Sequence, residues 1–222
     1  MRVRAAVFDM DGTLVDNMRF HGAAWMAFTR RHRLAATLDQ FEREYAGKKN
    51  EEILPLLFGR SLPAEESRAL AEEKEADYRR EYAPHLALLP GARELLDLVR
   101  SLGLKTAVAT AAPPLNRALV VEGLGLQSLF DAIVGPDGAT RGKPFPDIFL
   151  AAAKAIAVAP GDCVAFEDAV NGVRSAKTAG MFTVGVTTMT SPDALRSAGA
   201  DAVVGDFTEV LEGPLRALLL GA

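Results

Sequence analysis

Two pairs of acidic residues each follow a short apolar run in the sequence. Asp9 and Asp11 follow the first run and are separated by one residue, and the adjacent pair Glu167 and Asp168 follows a later run. Carboxylates this close repel each other, so they need a cation or a shared proton. Paired acids suit a hard cation that takes oxygen ligands. Two structural readings stay open, since Asp-x-Asp-Gly is also a common turn and Asp168 could cap a helix.

A hydroxyl and an ammonium follow in comparable positions. Thr110 ends an apolar run and could hydrogen-bond an anion, and Lys143 lies in Gly-Lys-Pro-Phe-Pro-Asp, where the prolines pre-set the backbone. Taken singly, Thr110 could be an ordinary strand residue and Lys143 a solvated loop lysine. Together with the acid pairs, they match a Mg²⁺-assisted phosphoryl-transfer site. The donors are all oxygens and form no Cys/His cluster, which disfavours zinc.

The pattern of the chain predicts how these residues are brought together. Alternating strands and helices predict an α/β fold with a doubly wound parallel sheet, in which ligands bind beyond the carboxyl ends of the strands. An all-helical segment is inserted after the first strand. We predict a core of residues 1–16 and 84–222 and a helical cap of residues 17–83. The predicted strands are 3–8, 104–109, 131–134, 163–166, 181–186 and 201–204, and the predicted helices include 38–46, 50–58, 63–82, 92–102, 113–124, 146–158, 169–179 and 207–219.

Composition narrows the class of protein. The 222 residues carry a formal net charge of −4, which disfavours a nucleic-acid partner. A single cysteine fits a reducing compartment, and no apolar run approaches the roughly 20 residues of a membrane span. The apolar part of the N-terminus is too short for a signal peptide. We therefore expect a cytoplasmic protein without a membrane partner, and a monomer or weak dimer.

Four motifs in order give the chain a family resemblance. The sequence Phe-Asp-Met-Asp-Gly-Thr-Leu at residues 8–14, then Thr110, Lys143 and the pair Glu167-Asp168 resemble the four motifs of the haloacid dehalogenase (HAD) superfamily. More narrowly, the chain resembles the β-phosphoglucomutase-like branch with a helical cap. The resemblance spans essentially the whole chain and implies a Rossmann-like HAD core.

The resemblance also implies roles for the core residues. Asp9 is expected to attack phosphorus as the nucleophile, and Asp11 to act as general acid and then general base. Thr110 and Lys143 are expected to bind the transferring phosphoryl group. Asp11 also separates this chain from the dehalogenases of the superfamily, which lack an acid there.

A magnesium site is part of the same implication. Asp9, the backbone carbonyl of Asp11, and Asp168 are expected to hold Mg²⁺, and Glu167 to support them. The positive charge would let an anionic nucleophile approach an anionic phosphate.

The cap is expected to supply substrate contacts. Residues 47–50, Gly-Lys-Lys-Asn, match a family loop that reaches the substrate. The mutase typically carries an arginine there, and that position aligns with Asn50. Lys48 or Lys49 could substitute, without the bidentate fork of an arginine.

Three further residues complete the expected substrate site. His21 matches a family histidine and is expected to couple cap closure to the position of Asp11, with a packed helix histidine as the alternative. Lys74 lies near a family lysine that contacts substrate, with a solvated lysine as the alternative. Ala111 follows Thr110 in a loop where prolines replace the polar contacts of the mutase.

These expectations favour one function and leave another open. We expect a Mg²⁺-dependent phosphatase that hydrolyses small phosphorylated metabolites, namely sugar phosphates, through an aspartyl-phosphate. The alternative is a β-phosphoglucomutase that interconverts β-glucose 1-phosphate and glucose 6-phosphate. A non-catalytic metabolite sensor is a third class, and the presence of both Asp9 and Asp11 speaks against it.

Overall fold

The core of the molecule is a parallel sheet of six strands. The computed structural model describes residues 2–220, except for the side chain of Glu42. The predicted core also includes Met1, Gly221 and Ala222, which lie outside the described residues. The strand order is β3-β2-β1-β4-β5-β6, and all pairings are parallel. The strands are β1 (Ala5–Phe8), β2 (Lys105–Ala109), β3 (Ala132–Val134), β4 (Cys163–Glu167), β5 (Phe182–Val186) and β6 (Ala202–Val204).

Helices cover both faces of this sheet. Along β1, Ala6 and Phe8 pack into one apolar cluster, and Ala5 and Val7 pack into another, as the two-residue period of a strand requires. This confirms the doubly wound α/β fold. The helices are α1 (Met18–Arg31), α2 (Leu38–Gln40), α3 (Asn50–Phe58), α4 (Ala64–Tyr82), α5 (Ala92–Ser101), α6 (Pro114–Gly123), α7 (Asp147–Ala155), α8 (Val170–Thr178), α9 (Pro192–Ala198), α10 (Phe207–Glu212) and α11 (Leu215–Leu220).

Helices α1 to α4 form the insertion after the first strand. They enclose an apolar cluster of their own, which includes Trp25, Phe28, Phe41 and Tyr45. The rings of Trp25 and Phe41 stack with centroids 5.0 Å apart. An all-helical cap after β1 is thus confirmed, whereas its exact limits at 17 and 83 stay a prediction.

Three sequence-based assignments differ from the structure. Helix α9 was missed, although Ser191 caps its N-terminus and Gly199 (φ 108°) follows its last residue. The single helix predicted for 207–219 is wrong, because Gly213 and Pro214 separate α10 from α11 and proline lacks the N–H that a continuous helix needs. The helix predicted for 38–46 is one turn of α2 followed by a π-helical turn over Phe41–Tyr45.

The register of the strands brings their carboxyl ends to one place. Phe8 lies beside Val108 on one side and Phe166 on the other. The N–H of Asp9 still donates to the carbonyl of Phe166, at 3.0 Å. Residues that follow these three strands therefore meet at one edge of the sheet, below the cap. Within the described residues, none of the helices combines the length and the apolar composition needed to cross a membrane.

Candidate active site

Three buried carboxylates meet at the carboxyl edge of the sheet. Asp9, Glu167 and Asp168 each offer an oxygen within 4.8 Å of the others. The Lys143 ammonium lies 2.9 Å from Asp9 Oδ1 and 2.5 Å from Glu167 Oε1. All four side chains are nearly inaccessible, with 6% or less of each residue exposed. Three carboxylates face one ammonium, which leaves a formal excess of two negative charges.

The excess of negative charge changes the pKa values of the group. Burial raises the pKa of Asp9 to about 7, and the charges of Glu167 and Asp11 add to the effect of burial, against the pull of Lys143. Burial, Glu167 and Asp9 also hold the pKa of Asp168 well above its usual range. Burial alone would lower the pKa of Lys143, but Asp9 and Glu167 raise it. The site therefore disfavours its own ionised carboxylates unless more positive charge is present.

The donor set fits a hard divalent cation. Thr13 donates its hydroxyl hydrogen to Asp168 Oδ1 at 3.1 Å. Asp168 Oδ2 is buried and has no hydrogen-bond partner among the described residues. An oxygen-only set of carboxylates is the set that Mg²⁺ takes, and a cation would satisfy this orphan oxygen. Asp9 and Asp168, supported by Glu167, are the residues that would hold it. The expected contribution of the Asp11 carbonyl stays a prediction.

Two glycines let the backbone approach these carboxylates. A Cβ on Gly12 would lie 2.1 Å from Asp168 Oδ2, and Gly12 has a left-handed φ of +79°. A Cβ on Gly172, in the first turn of α8, would lie 1.8 Å from Glu167 Oε1. Both distances are far below van der Waals contact, so any larger residue would displace the carboxylate.

Asp11 is held by the first turn of the cap. Its Oδ1 accepts a 2.6 Å hydrogen bond from Asn17 Nδ2, and its Oδ2 lies 3.7 Å from His21 Nε2. Asn17 Oδ1 accepts from the backbone N–H of Gly12, at 3.0 Å, and its Nδ2 also donates to the Tyr78 hydroxyl at 2.6 Å. Asn17 was missed by the sequence analysis. The one available signal was an amide residue placed directly after the Asp-x-Asp-Gly loop.

Lys74 is buried rather than solvated. Its ammonium lies 2.9 Å from His21 Nδ1, 2.9 Å from Glu75 Oε1 and 4.8 Å from the ring centre of Trp25. An ammonium only donates, so His21 Nδ1 accepts and the hydrogen-bond network assigns the ring proton to Nε2, which faces Asp11. The structure therefore excludes the solvated alternative for Lys74.

Thr110 and Ala111 line the core side of the cleft. The N–H of Thr110 donates to the carbonyl of Val134 at 3.0 Å, and its hydroxyl oxygen accepts from the N–H of Ala112 at 3.0 Å. The hydroxyl hydrogen remains available to an anion. Ala111 borders the same cleft through a side chain without polar atoms.

Two residues at the start of α3, Lys48 just before it and Asn50 in it, line the cleft. Lys48 lines the cleft, and its ammonium lies 5.8 Å from the ring centre of Tyr45. Asn50 also lines the cleft, and its amide donates to Glu75 Oε1 at 2.8 Å. The two residues therefore border the space that a substrate would enter.

Lys49 is the predicted substrate residue that the structure places elsewhere. Its ammonium donates to two core carbonyls, of Pro136 at 2.8 Å and of Ala139 at 2.5 Å. Next to it, Glu52 Oε1 accepts from the N–H of Gly142, at 2.9 Å. Lys49 and Glu52 thus bind the cap to the backbone of the core segment that precedes Lys143.

The cleft between cap and core encloses about 810 Å³ when its open mouth is included. Its core side carries acidic residues and Lys143, and its cap side is largely apolar but also carries Lys48, Lys74 and Glu75. The cap residues include Met18, Trp25, Leu38, Phe41, Tyr45 and Ile53, and the core residues include Asp9, Asp11, Thr110, Ala111, Lys143 and Asp168.

Comparison with known proteins decides the family. A family model described as haloacid dehalogenase-like hydrolase matches residues 3–180. The chain belongs to this family. It is 36% identical over 194 residues to a β-phosphoglucomutase of Bacillus subtilis, which covers 83% of each chain. It is 32% identical over 207 residues to a validoxylamine A 7'-phosphate phosphatase of Streptomyces hygroscopicus subsp. limoneus, covering 93% of this chain and 95% of the relative.

A solved structure shows the same architecture. The crystal structure of a β-phosphoglucomutase from Clostridium difficile superposes with a TM-score of 0.85 at 28% identity, covering 99% of this chain and 98% of that one. The HAD-like hydrolase described here is therefore an enzyme of phosphoester chemistry with a capped Rossmann-like core.

Replacing Gly172 should test the close packing of this HAD-like site. We expect Gly172→Ala to lower the free energy of unfolding by about 2 kcal/mol, because the methyl group overlaps the Glu167 carboxylate. Steric overlap outweighs the gain of about 1 kcal/mol that alanine brings to a helix. Gly161→Ala is the control, since its Cβ would meet nothing within 4 Å. Urea unfolding measures both, and equal stabilities for the two variants would contradict the packing argument.

Magnesium should stabilise the protein through Asp168. At 100 times its dissociation constant, Mg²⁺ should add about 2.7 kcal/mol to the free energy of unfolding, and a chelator should remove that gain. Without Mg²⁺, Asp168→Asn should be at least as stable as the wild type, because one buried like charge is gone and the Thr13 hydrogen bond can remain. With Mg²⁺, this variant should lose most of the gain.

Thermal unfolding with and without Mg²⁺ measures this difference. Asp193→Asn is the matched control, since the Asp193 side chain is 97% exposed and pairs with Arg196 of its own helix. A full Mg²⁺ effect in Asp168→Asn would show that the cation binds elsewhere.

Proposed function

We propose that this enzyme is a Mg²⁺-dependent phosphatase that hydrolyses small phosphorylated metabolites, namely sugar phosphates, through an aspartyl-phosphate on Asp9. One observation carries the choice of hydrolysis over transfer. Among the described residues, no arginine lines the cleft, and of its three lysines only Lys48 makes no ion pair with a described side chain. The cap therefore offers little charge to a second phosphate.

The first half of the reaction uses Asp9 and Asp11. A carboxylate oxygen of Asp9 attacks phosphorus and the bond from phosphorus to the ester oxygen breaks. Protonated Asp11 gives its proton to that oxygen, so the alcohol leaves neutral. Lys143 and the Thr110 hydroxyl offer donors to the phosphoryl oxygens as charge develops on them.

The second half regenerates the enzyme. Asp11, now ionised, takes a proton from a water molecule whose oxygen attacks phosphorus. The bond from phosphorus to Asp9 breaks, inorganic phosphate leaves, and Asp11 is again protonated. Asn17 donates a hydrogen bond to one Asp11 oxygen, and His21 Nε2 lies 3.7 Å from the other, which supports one positioned group serving both steps.

The cation and the cap support this chemistry in different ways. Mg²⁺, when bound by Asp9 and Asp168 with Glu167, supplies the positive charge that lets the anionic phosphate enter an acidic site. The cap covers the site with an apolar wall that limits the access of bulk water. This wall, together with Asn50 and Lys48, suits the neutral part of a sugar phosphate.

A second function is supported by a specific observation. The 36% identical relative from Bacillus subtilis is a β-phosphoglucomutase. In that reaction a sugar hydroxyl, rather than water, takes the phosphoryl group from aspartate, so a bisphosphate must form and turn over in the cleft. Lys48 would have to hold the second phosphate, without the fork of an arginine.

Parallel assays separate the two functions. We expect Mg²⁺-dependent release of inorganic phosphate from several sugar phosphates, and little glucose 6-phosphate from β-glucose 1-phosphate in a coupled assay. The Asp9→Asn variant, which lacks the nucleophile, should release phosphate only at the background rate. Formation of glucose 6-phosphate much faster than release of phosphate would instead establish the mutase.

A further inference from the structure

Glu75 is a buried carboxylate that joins the cap to the core. It lies on α4, is 3% exposed, and uses both of its oxygens. Oε1 accepts from Lys74 Nζ at 2.9 Å and from Asn50 Nδ2 at 2.8 Å, both in the cap. Oε2 accepts from Asn116 Nδ2 at 2.7 Å, on core helix α6. One side chain thus ties two cap helices to the core.

Asn116 can make this bond in only one orientation. Its Oδ1 accepts a 3.0 Å hydrogen bond from Arg79 Nη1, so its Nδ2 must face Glu75. Asn116 is fully buried, and its backbone N–H donates to the carbonyl of Pro113. Helix α6 begins directly after the loop that carries Thr110, so the bond connects the cap to one end of the expected phosphoryl site.

The carboxylate form of Glu75 is strongly favoured. Burial by itself would raise the pKa of Glu75, but the charge of Lys74 and the hydrogen bonds from Asn50 and Lys74 lower it to about 2. Glu75 therefore accepts hydrogen bonds at both oxygens at any pH near neutrality. Its charge also compensates the buried ammonium of Lys74, which would otherwise be costly.

The contacts of Glu75 continue to Asp11. Lys74 Nζ contacts His21 Nδ1, and His21 Nε2 is buried 3.7 Å from Asp11 Oδ2. The His21 ring stacks on Tyr78, with centroids 3.7 Å apart, so it has little freedom to turn. A displacement of Glu75 relative to the core would therefore move the groups beside Asp11.

We propose that Glu75 is a positioning residue whose hydrogen bond to Asn116 sets the cap on the core, so that Lys74 and His21 stand beside Asp11. As far as catalysis is concerned, this rests on the proposed function of the site. The competing role for Glu75 is charge compensation of Lys74 alone, for which Asn116 would not matter.

An exchange of the two side chains distinguishes these roles. In Glu75→Gln, the new amide nitrogen meets Asn116 Nδ2, a second donor, and Arg79 prevents Asn116 from turning. In Asn116→Asp, two carboxylates meet. In the double variant E75Q/N116D, the Gln amide can donate to the Asp carboxylate, which still accepts from Arg79, while Gln Oε1 accepts from Lys74 and Asn50. The number of charges is that of the wild type.

We expect each single variant to lower kcat/KM for a hydrolysed sugar phosphate at least 10-fold, mainly through kcat, and the double variant to return within about 3-fold of wild type. Glu81→Gln, the same change at an exposed site of α4, should stay within 2-fold. Single variants within 2-fold of wild type would overturn the proposal. A double variant as slow as Glu75→Gln would assign Glu75 to charge compensation and overturn it as well.

A second measurement reports on the cap without any activity. Spin labels on cysteines introduced at the exposed positions Arg68 on α4 and Glu122 on α6 give a distance between cap and core by double electron–electron resonance. The native Cys163 is buried and should not take up the label. The distance distribution should broaden in Glu75→Gln and narrow again in the double variant. If Glu75→Gln does not fold, Asn116→Ala removes the same bond and should broaden the distribution.

The two measurements separate the failure of one proposal from that of the other. An unchanged distance distribution in both Glu75→Gln and Asn116→Ala would overturn the positioning role, whatever the enzyme hydrolyses. A broadened distribution in an enzyme that releases no phosphate would instead count against the phosphatase while leaving the link between cap and core in place.

Discussion

Burial of three carboxylates against a single ammonium is the constraint on which the rest of the site depends. Removing such charges from water costs several kcal/mol per ion, and Lys143 alone does not balance Asp9, Glu167 and Asp168. The arrangement must therefore be imposed by parts that gain stability elsewhere. Strands β1 and β4 pair in parallel register, and the rings of Phe8 and Phe166 stack with centroids 4.9 Å apart. This packing fixes the strand ends at which Asp9 and Glu167 lie.

The same rule of charge pairing shapes the cap. A buried lysine faces the cleft at position 74, but its charge is compensated within the cap by Glu75. Of the described cap lysines that line the cleft, only Lys48 then has a charge that no described acid compensates. The groups expected to bind a phosphoryl group lie in the core. The core side of the cleft therefore carries the charged groups that face the reacting phosphorus, and the largely apolar cap side faces the rest of the substrate.

What the sequence could predict follows from how each residue is placed. Asp9 and Thr110 directly follow β1 and β2, and Glu167 is the last residue of β4. Parallel strands bring their carboxyl ends together, so the meeting of these residues could be predicted. Asn17, Glu75 and Asn116 were missed because their roles depend on contacts between separate elements: 61 residues separate Asn17 from Tyr78, and 41 separate Glu75 from Asn116. A local sequence pattern does not reveal such contacts. Lys49 was misplaced for the same reason, as its partners are backbone carbonyls of a distant loop. The short helix α9 escaped because its seven residues show too little periodicity.

Among the hydrogen bonds between cap and core, two sets lie next to the expected phosphoryl-binding residues. On one side, Lys49 and Glu52 bind the backbone of the segment that leads to Lys143. On the other side, Glu75 binds Asn116, which lies in the first turn of α6, the helix after Thr110. The cap therefore touches both core segments that carry the expected phosphoryl-binding side chains. An opening that separated the cap from these two segments would break both sets of bonds and would disturb the neighbourhood of Thr110 and Lys143. A water molecule that attacks an aspartyl-phosphate would then act inside a cleft whose geometry the cap itself completes.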